Sequence, residues 1–157
     1  MSRSCPALLL VALAAVPTTL VAQSAPRVVV TEGAPKQIGP YSQGVISNGF
    51  LFTAGQIGRD PATGKLVEGG LVAEVNRVFD NLEAVVTAAG ARLADVVKAT
   101  VFMTDLADFE KMNAVYAQRL GEARPARSTV QVAKLPGGAS IEIELVVQLP
   151  RSTPRNP

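Results

Sequence analysis

The chain has 157 residues and a formal net charge of +2 at pH 7, with 15 Lys and Arg residues against 13 Asp and Glu. It contains no histidine, a single cysteine and only 4% aromatic residues. Nucleic-acid binding draws on basic surfaces and stacking side chains, so this composition argues against a nucleic-acid partner. The chain also lacks the imidazole and paired thiolate ligands of zinc sites, and we expect no metal ion.

The first 22 residues predict an export signal. Arg3 supplies a positive charge, Ala7 to Val16 is an apolar run too short to span a bilayer, and Ala22 is a small residue suited to cleavage. A mitochondrial presequence would normally carry more arginines, and an uncleaved anchor would be longer. Cys5 precedes the apolar run and would be removed with it. We therefore expect an exported protein, periplasmic or secreted, without membrane contact after cleavage.

Residues 23–150 are enough for a single domain, and the polar residues 151–157 predict a disordered tail. The dipeptide Asn48-Gly49 lies between two apolar runs and predicts a hairpin, because both residues tolerate positive φ. The turn-rich residues 58–70 predict a surface loop. Three strands are predicted before the first helix, at Val28–Thr31, Gln43–Ser47 and Phe50–Ala54.

Two helices follow from apolar residues that recur every three or four positions. The first is predicted at Leu71–Ala89, and Gly90 suits its left-handed C-terminal position. Asp95–Met103, rich in Val and Thr, predicts the strand between the helices. Asp105 can cap the second helix, Leu106–Leu120, which has an apolar face of Phe109, Met112, Tyr116 and Leu120.

The last two strands are predicted at Arg127–Ala133 and Ile141–Leu149. The final strand alternates apolar residues with Glu142, Glu144, Val146 and Gln148. Two helices, each with one apolar stripe, cover only one face of a sheet. The chain is therefore predicted to be α+β, with its second sheet face solvated or buried against another chain. A face that mixes valine with glutamates suits a subunit interface that holds a polar site.

Short motifs spread from about Val28 to Val147 resemble one family as a set. They are Ile38-Gly39-Pro40-Tyr41-Ser42-Gln43-Gly44, Thr53-Ala54-Gly55-Gln56-Ile57, Asp80-Asn81, Ala88-Ala89-Gly90, Asp95-Val96-Val97-Lys98, Val101-Phe102-Met103-Thr104-Asp105-Leu106, Pro125-Ala126-Arg127 and Ile141-Glu142-Ile143-Glu144. On these residues the chain resembles the RidA (YjgF) family of small enamine/imine deaminases.

The resemblance implies a chorismate-mutase-like α+β fold, with a mixed β-sheet, two helices on one face and a homotrimer whose sites lie between subunits. It also implies hydrolytic deamination of 2-imino and 2-enamino acids to 2-oxo acids and ammonia, without a cofactor. The expected partners are small 2-imino and 2-oxo acids and other copies of the chain. Most relatives of this kind are not exported, so the predicted signal is a departure from the family.

Two residues carry the implied chemistry. The resemblance implies that Arg127 binds the substrate carboxylate and that Glu142 positions the hydrolytic water. The planar fork of arginine meets a carboxylate with two parallel hydrogen bonds, and a carboxylate side chain can orient water and accept its proton. The residues alone leave open an interface ion pair for Arg127 and a plain exposed strand position for Glu142.

Four further residues are candidates for substrate binding. The resemblance implies that Tyr41 lines the pocket, that Gly55 offers backbone contacts and that Asn113 reaches the site. Thr129 stands where many bacterial members have a cysteine, on the same strand face as Arg127. Purely structural alternatives stay open. Tyr41 would be a packed turn residue and Gly55 a close-packing glycine. Asn113 would face solvent, and Thr129 would be selected for β-propensity.

Three other functions remain compatible with the sequence. The same pocket would serve a non-enzymatic binder of small carboxylates. A ribonuclease or translation inhibitor, a role reported for some members of the family, is weakened by the near-neutral charge and the absence of histidine. A chaperone-like protein would need an exposed apolar patch.

We expect the mature protein to begin between Gln23 and Pro26, because the apolar run ends shortly before Ala22. N-terminal sequencing of the protein isolated from its native host checks this prediction. A protein that retains Met1 in the soluble cytosolic fraction would contradict the predicted export.

Overall fold

The computed structural model describes residues 25–150. The predicted signal segment, 1–22, and the predicted tail, 151–157, lie outside these residues. Within the described range, no helix has the length and apolar character needed to cross a membrane. The elements in chain order are β1 (Arg27–Val29), β2 (Gly44–Ser47), β3 (Phe50–Thr53), β4 (Gln56–Ile57), α1 (Gly70–Ala88), β5 (Val96–Met103), α2 (Phe109–Leu120), β6 (Ala126–Gln131) and β7 (Ile141–Gln148).

The strands form one mixed sheet in the order β1-β2-β3-β7-β5-β6, and the short β4 also pairs with β7. Every pairing is antiparallel except that of β5 with β6. Parallel neighbours need a crossover connection, and α2 provides it. The strand β6, which carries Arg127, is thereby placed at one edge of the sheet.

Both helices pack on the same face of the sheet, as predicted. Strand β7 is buried at alternate residues, Ile141, Ile143, Leu145 and Val147. These residues share one core with the apolar stripes of α1 and α2. The intervening residues of β7 lie on the opposite face, which no helix covers in the described part of the chain. We call this second face the open face.

Local signals in the sequence set the turns correctly. Asn48 has φ of 50° and Gly49 of 80°, so the predicted hairpin between β2 and β3 is confirmed. Gly90 has φ of 84°, and its N–H donates to the carbonyl of Thr87. The N–H of Ala91 donates to the carbonyl of Val86. This pair of bonds ends α1 where the sequence predicted.

The structure differs from the prediction most at the start of α2 and at β4. The helix predicted at Leu106–Leu120 begins with a separate 3₁₀ turn, Leu106–Asp108, and α2 starts only at Phe109. Asp105 still caps this segment, since its carboxylate accepts from the Ala107 N–H at 2.8 Å. The strand β4 was not predicted, because two residues are too few to show an alternating pattern.

Candidate active site

A cleft of about 340 Å³ contains three of the predicted site residues, Tyr41, Gly55 and Glu142. We call it the Glu142 cleft. Tyr41 comes from the connection between β1 and β2, Gly55 from the break between β3 and β4, and Glu142 from the open face of β7. Residues from three separate segments therefore converge on one carboxylate. The other three predicted site residues do not line this cleft.

A β-bulge makes room for that carboxylate. Phe52 faces Val146 and Gln56 faces Ile143, so four steps along one strand match three along β7. Gly55 lies in the resulting bulge. A Cβ atom at Gly55 would lie 1.8 Å from Oε1 of Glu142. The absence of a side chain at Gly55 is thus what allows Glu142 to occupy the cleft.

Burial shifts the protonation of Glu142. Desolvation raises the pKa of its carboxyl, and the like charge of Glu144 raises it further. Among residues 25–150, no side chain forms an ion pair with the Glu142 carboxylate and no group donates a hydrogen bond to its oxygens. A half-buried carboxylate with a raised pKa and no protein partner is suited to hold and exchange a proton with water or a ligand.

The buried amide of Gln43 fixes the wall that carries Tyr41. Its Oε1 accepts from the Thr31 N–H at 2.7 Å, and its Nε2 donates to the carbonyls of Thr31, Ala34 and Pro35 at 3.0–3.1 Å. Gln43 was predicted as the first residue of a strand, but β2 starts one residue later. The connection between β1 and β2 is irregular, so its backbone groups have no strand partners. The Gln43 side chain supplies hydrogen bonds to them instead.

Two buried polar residues of α1 fix the opposite side of the cleft. Nδ2 of Asn81 donates to the carbonyls of Ile57 at 3.2 Å and Arg59 at 2.9 Å. The Glu74 carboxylate accepts from the N–H and the hydroxyl of Ser140, each at 2.8 Å. Sequence reasoning missed Glu74, whose only signal is a carboxylate next to the apolar stripe of a helix.

A second cleft, of about 460 Å³, contains Arg127 and Asn113. The guanidinium of Arg127 lies over the ring of Tyr116, 4.6 Å from its centroid, and 5.5 Å from that of Phe109. Both rings belong to α2, and both were predicted only as core residues. Burial raises the pKa of the Tyr116 phenol, against the opposing effect of the Arg127 charge. The aromatic faces hold the cation in place without neutralising it.

Thr129 shares the strand face of Arg127, as predicted. It lies two residues along β6, opposite the buried Val101 of β5. Its hydroxyl is buried and has no hydrogen-bond partner among the described residues. In a single chain, this buried hydroxyl thus lacks the hydrogen-bond partner that buried polar groups normally have.

Arg127 and Glu142 lie on opposite faces of the sheet within one chain. Arg127 pairs with Ala99, which is fully buried beneath the helices. Glu142 pairs with Phe102 and points to the open face. One copy of the chain therefore holds the predicted site residues in two separate groups, which we call half-sites: Tyr41, Gly55 and Glu142 line one cleft, Asn113 and Arg127 line the other, and Thr129 lies on the strand face of Arg127.

The family model described as Endoribonuclease L-PSP matches residues 31–149, and the chain belongs to this family, which includes the RidA proteins. A RutC family protein of Pyrococcus horikoshii is 50% identical over 119 residues, 76% of this chain and 94% of the relative. The human 2-iminobutanoate/2-iminopropanoate deaminase is 44% identical over 128 residues, 81% and 93% of the two chains. The crystal structure of RidA from an Antarctic Psychrobacter matches with a TM-score of 0.76 at 43% identity, over 78% of this chain and 99% of that one.

Gly55→Ala should displace the Glu142 carboxylate, since the new methyl group would overlap its Oε1. The displaced side chain turns toward solvent, so we expect its pKa to fall toward the ordinary value, because burial is the main cause of the upward shift. NMR titration of the Glu142 carboxyl carbon measures this change. Gly39→Ala is the matched control, because its Cβ would meet only the Tyr41 ring at an ordinary 3.4 Å. An unchanged Glu142 titration in Gly55→Ala would contradict the assigned role of the glycine.

Proposed function

We propose that the protein hydrolyses 2-imino and 2-enamino acids to 2-oxo acids and ammonia, at sites formed between the subunits of a homotrimer. The observation that carries the proposal is the half-buried Glu142 carboxylate, whose pKa is raised and which lies in a ligand-sized cleft. The name of the human relative, which is 44% identical, supports the same reaction class.

In the proposed reaction the protein must bind the substrate carboxylate, activate a water molecule and transfer protons to the leaving nitrogen. Arg127 binds the substrate carboxylate through two parallel hydrogen bonds, and the rings beneath it fix the plane of the fork. Glu142 accepts a proton from water as the oxygen adds to the carbon of the C=N bond. The proton then passes to the nitrogen to give a carbinolamine. The hydroxyl proton of the carbinolamine moves to the same nitrogen through Glu142 as the C–N bond breaks, so that ammonia leaves as the carbonyl forms. An enamine first takes a proton on carbon to become the imine.

The open face supports self-association. Val28, Val45, Phe52 and Val146 are paired across four neighbouring strands on this face. Val28 is 53% exposed and Phe52 47% exposed in a single chain. A contiguous apolar row of this kind marks an interaction surface. Burial against other copies would remove the row from water and would let the Arg127 half-site of one chain meet the Glu142 half-site of its neighbour.

The other candidate functions have weaker support. A binder of small carboxylates would use the same half-sites, and measured turnover separates it from an enzyme. Some relatives carry ribonuclease names, but the chain offers RNA neither a strongly basic surface nor many stacking rings, at a net charge of +2 and 4% aromatic residues. The apolar row of the open face would serve a chaperone-like role only if no other copy covered it.

Glu142→Gln should lower kcat/KM for 2-iminopropanoate by roughly a hundredfold, the low end of general-base effects, because imines already hydrolyse readily in water. The imine is generated in situ by an amino-acid oxidase, and its loss is followed with and without the protein. Unchanged turnover in a folded Glu142→Gln protein would show that another group activates the water.

The pH profile tests the same role. Glu142 must be ionised to accept a proton, so kcat/KM should fall as the pH falls through its raised pKa, at a higher pH than for an ordinary glutamate. Glu144→Gln removes the like charge and should move this limb to lower pH, by less than the shift that burial causes.

Arg127→Lys and Arg127→Ala should both weaken turnover, with alanine the more severe, by on the order of tenfold to several hundredfold in kcat/KM. Lysine keeps the charge but loses the fork and its stacking on Tyr116. Sedimentation on the same samples separates a ligand role from an interface ion pair. A dissociated Arg127→Lys protein, or a trimeric Arg127→Ala protein with full activity, would overturn the assignment.

Mixing the two variants tests whether each site uses two chains. When Glu142→Gln and Arg127→Ala proteins are unfolded and refolded together, about a quarter of the interfaces of a cyclic trimer should combine two intact half-sites. Activity should then recover to roughly that fraction. No recovery in mixed trimers would place both residues of each site in one chain.

A further inference from the structure

Arg59 lines the same cleft as Glu142. In the register of β4 with β7, Ile57 is directly opposite Glu142. Arg59 follows two residues later, just beyond the end of β4, and its side chain lines the cleft. Its backbone is fixed, because its carbonyl accepts from Nδ2 of Asn81 at 2.9 Å and its N–H donates to the Ile57 carbonyl at 2.7 Å. The side chain is therefore anchored within reach of a molecule bound at Glu142.

Within residues 25–150, the guanidinium of Arg59 has no hydrogen-bond or ion-pair partner. Its Nε–H is buried and has no acceptor among the described residues. Its Nη2 lies 3.3 Å from the position that a Cβ of Gly137 would take, so the glycine leaves the group its space. The ion pairs within residues 25–150 do not include Arg59. A buried N–H without an acceptor is costly, and an anionic ligand in the cleft would supply one.

Lys36 adds a second cation to the same cleft. It follows Pro35, whose carbonyl accepts from Nε2 of the buried Gln43 at 3.0 Å, so the backbone at this point is held in place. Lys36 forms no ion pair with another described residue either. Two cations and one carboxylate thus line the cleft, and neither cation forms an ion pair with a described residue.

These charges exceed what a monocarboxylate substrate requires. In the proposed reaction the carboxylate next to the imine is bound by Arg127, in the half-site of another chain. Arg59 and Lys36 would then face the rest of the substrate. A neutral alkyl side chain would leave both cations without a partner, whereas a second carboxylate would pair with them and accept the buried Nε–H of Arg59.

We propose that Arg59 and Lys36 bind the side-chain carboxylate of the substrate, so that the favoured substrates are 2-imino dicarboxylates, the imines of acidic amino acids. This inference rests on the proposed deaminase function and adds the substrate class to it.

The test compares an acidic imine with a neutral one in the full-length protein and its variants. Arg59→Gln should lower kcat/KM for 2-iminoglutarate by about tenfold to a hundredfold, the effect of one lost charge-assisted hydrogen bond. It should leave kcat/KM for 2-iminopropanoate within about twofold. Lys36→Gln should show the same selectivity with a smaller loss, because its side chain is exposed. Arg92→Gln, which removes the same charge from an exposed ion pair outside the cleft, is the matched control.

The outcomes separate the two proposals. Equal losses on both imines, or no loss on the acidic one, would overturn the inference while the deaminase function stands. If the unaltered protein turns over neither imine, the deaminase function fails, and calorimetric titration with 2-oxoglutarate and 2-oxobutanoate then tests the inference alone. A preference for 2-oxoglutarate that Arg59→Gln abolishes would support the two cations as an anion site. Equal affinity for both acids would refute it.

Discussion

The two-residue repeat of β7 is the constraint on which the rest of the structure depends. Because successive side chains of a strand point to opposite faces, Ile141 and Ile143 enter the core beneath the helices while Glu142 between them emerges on the open face. The parallel pairing of β5 with β6 then places Arg127 on the helix side. A single chain therefore separates the carboxylate from the arginine, and the proposed reaction requires a second copy of the chain to bring them together.

Most of the fold follows from local signals in the sequence. The apolar stripe of α1, the Gly90 terminus and the Asn48-Gly49 hairpin all act through short-range physics, and the structure confirms them. The strand β4 and the bulge at Gly55 depend instead on pairing with β7, nearly ninety residues away along the chain. No local pattern in two residues reports such a distant partner.

The sequence predicted which residues form the candidate site, but it only partly predicted how the fold arranges them in space. The family motifs indicated Arg127 and Glu142, but single-chain periodicity did not show that the sheet separates them. The part played by Gly55 is steric and visible only from the position of Glu142. Arg59 and Lys36 lie outside any motif, in connections whose conformation is fixed by the buried amides of Asn81 and Gln43.

The raised pKa of Glu142 also has a thermodynamic consequence for the fold. Since burial favours the neutral acid, the native state binds this proton more tightly than the unfolded chain does. The contribution of Glu142 to stability is therefore greatest below the ordinary glutamate pKa and declines as the pH rises through the raised native value. The ionisation that would prepare the carboxylate to act on water is thus the same event that weakens the domain. Under the proposed function, activity and stability therefore favour opposite protonation states of this residue.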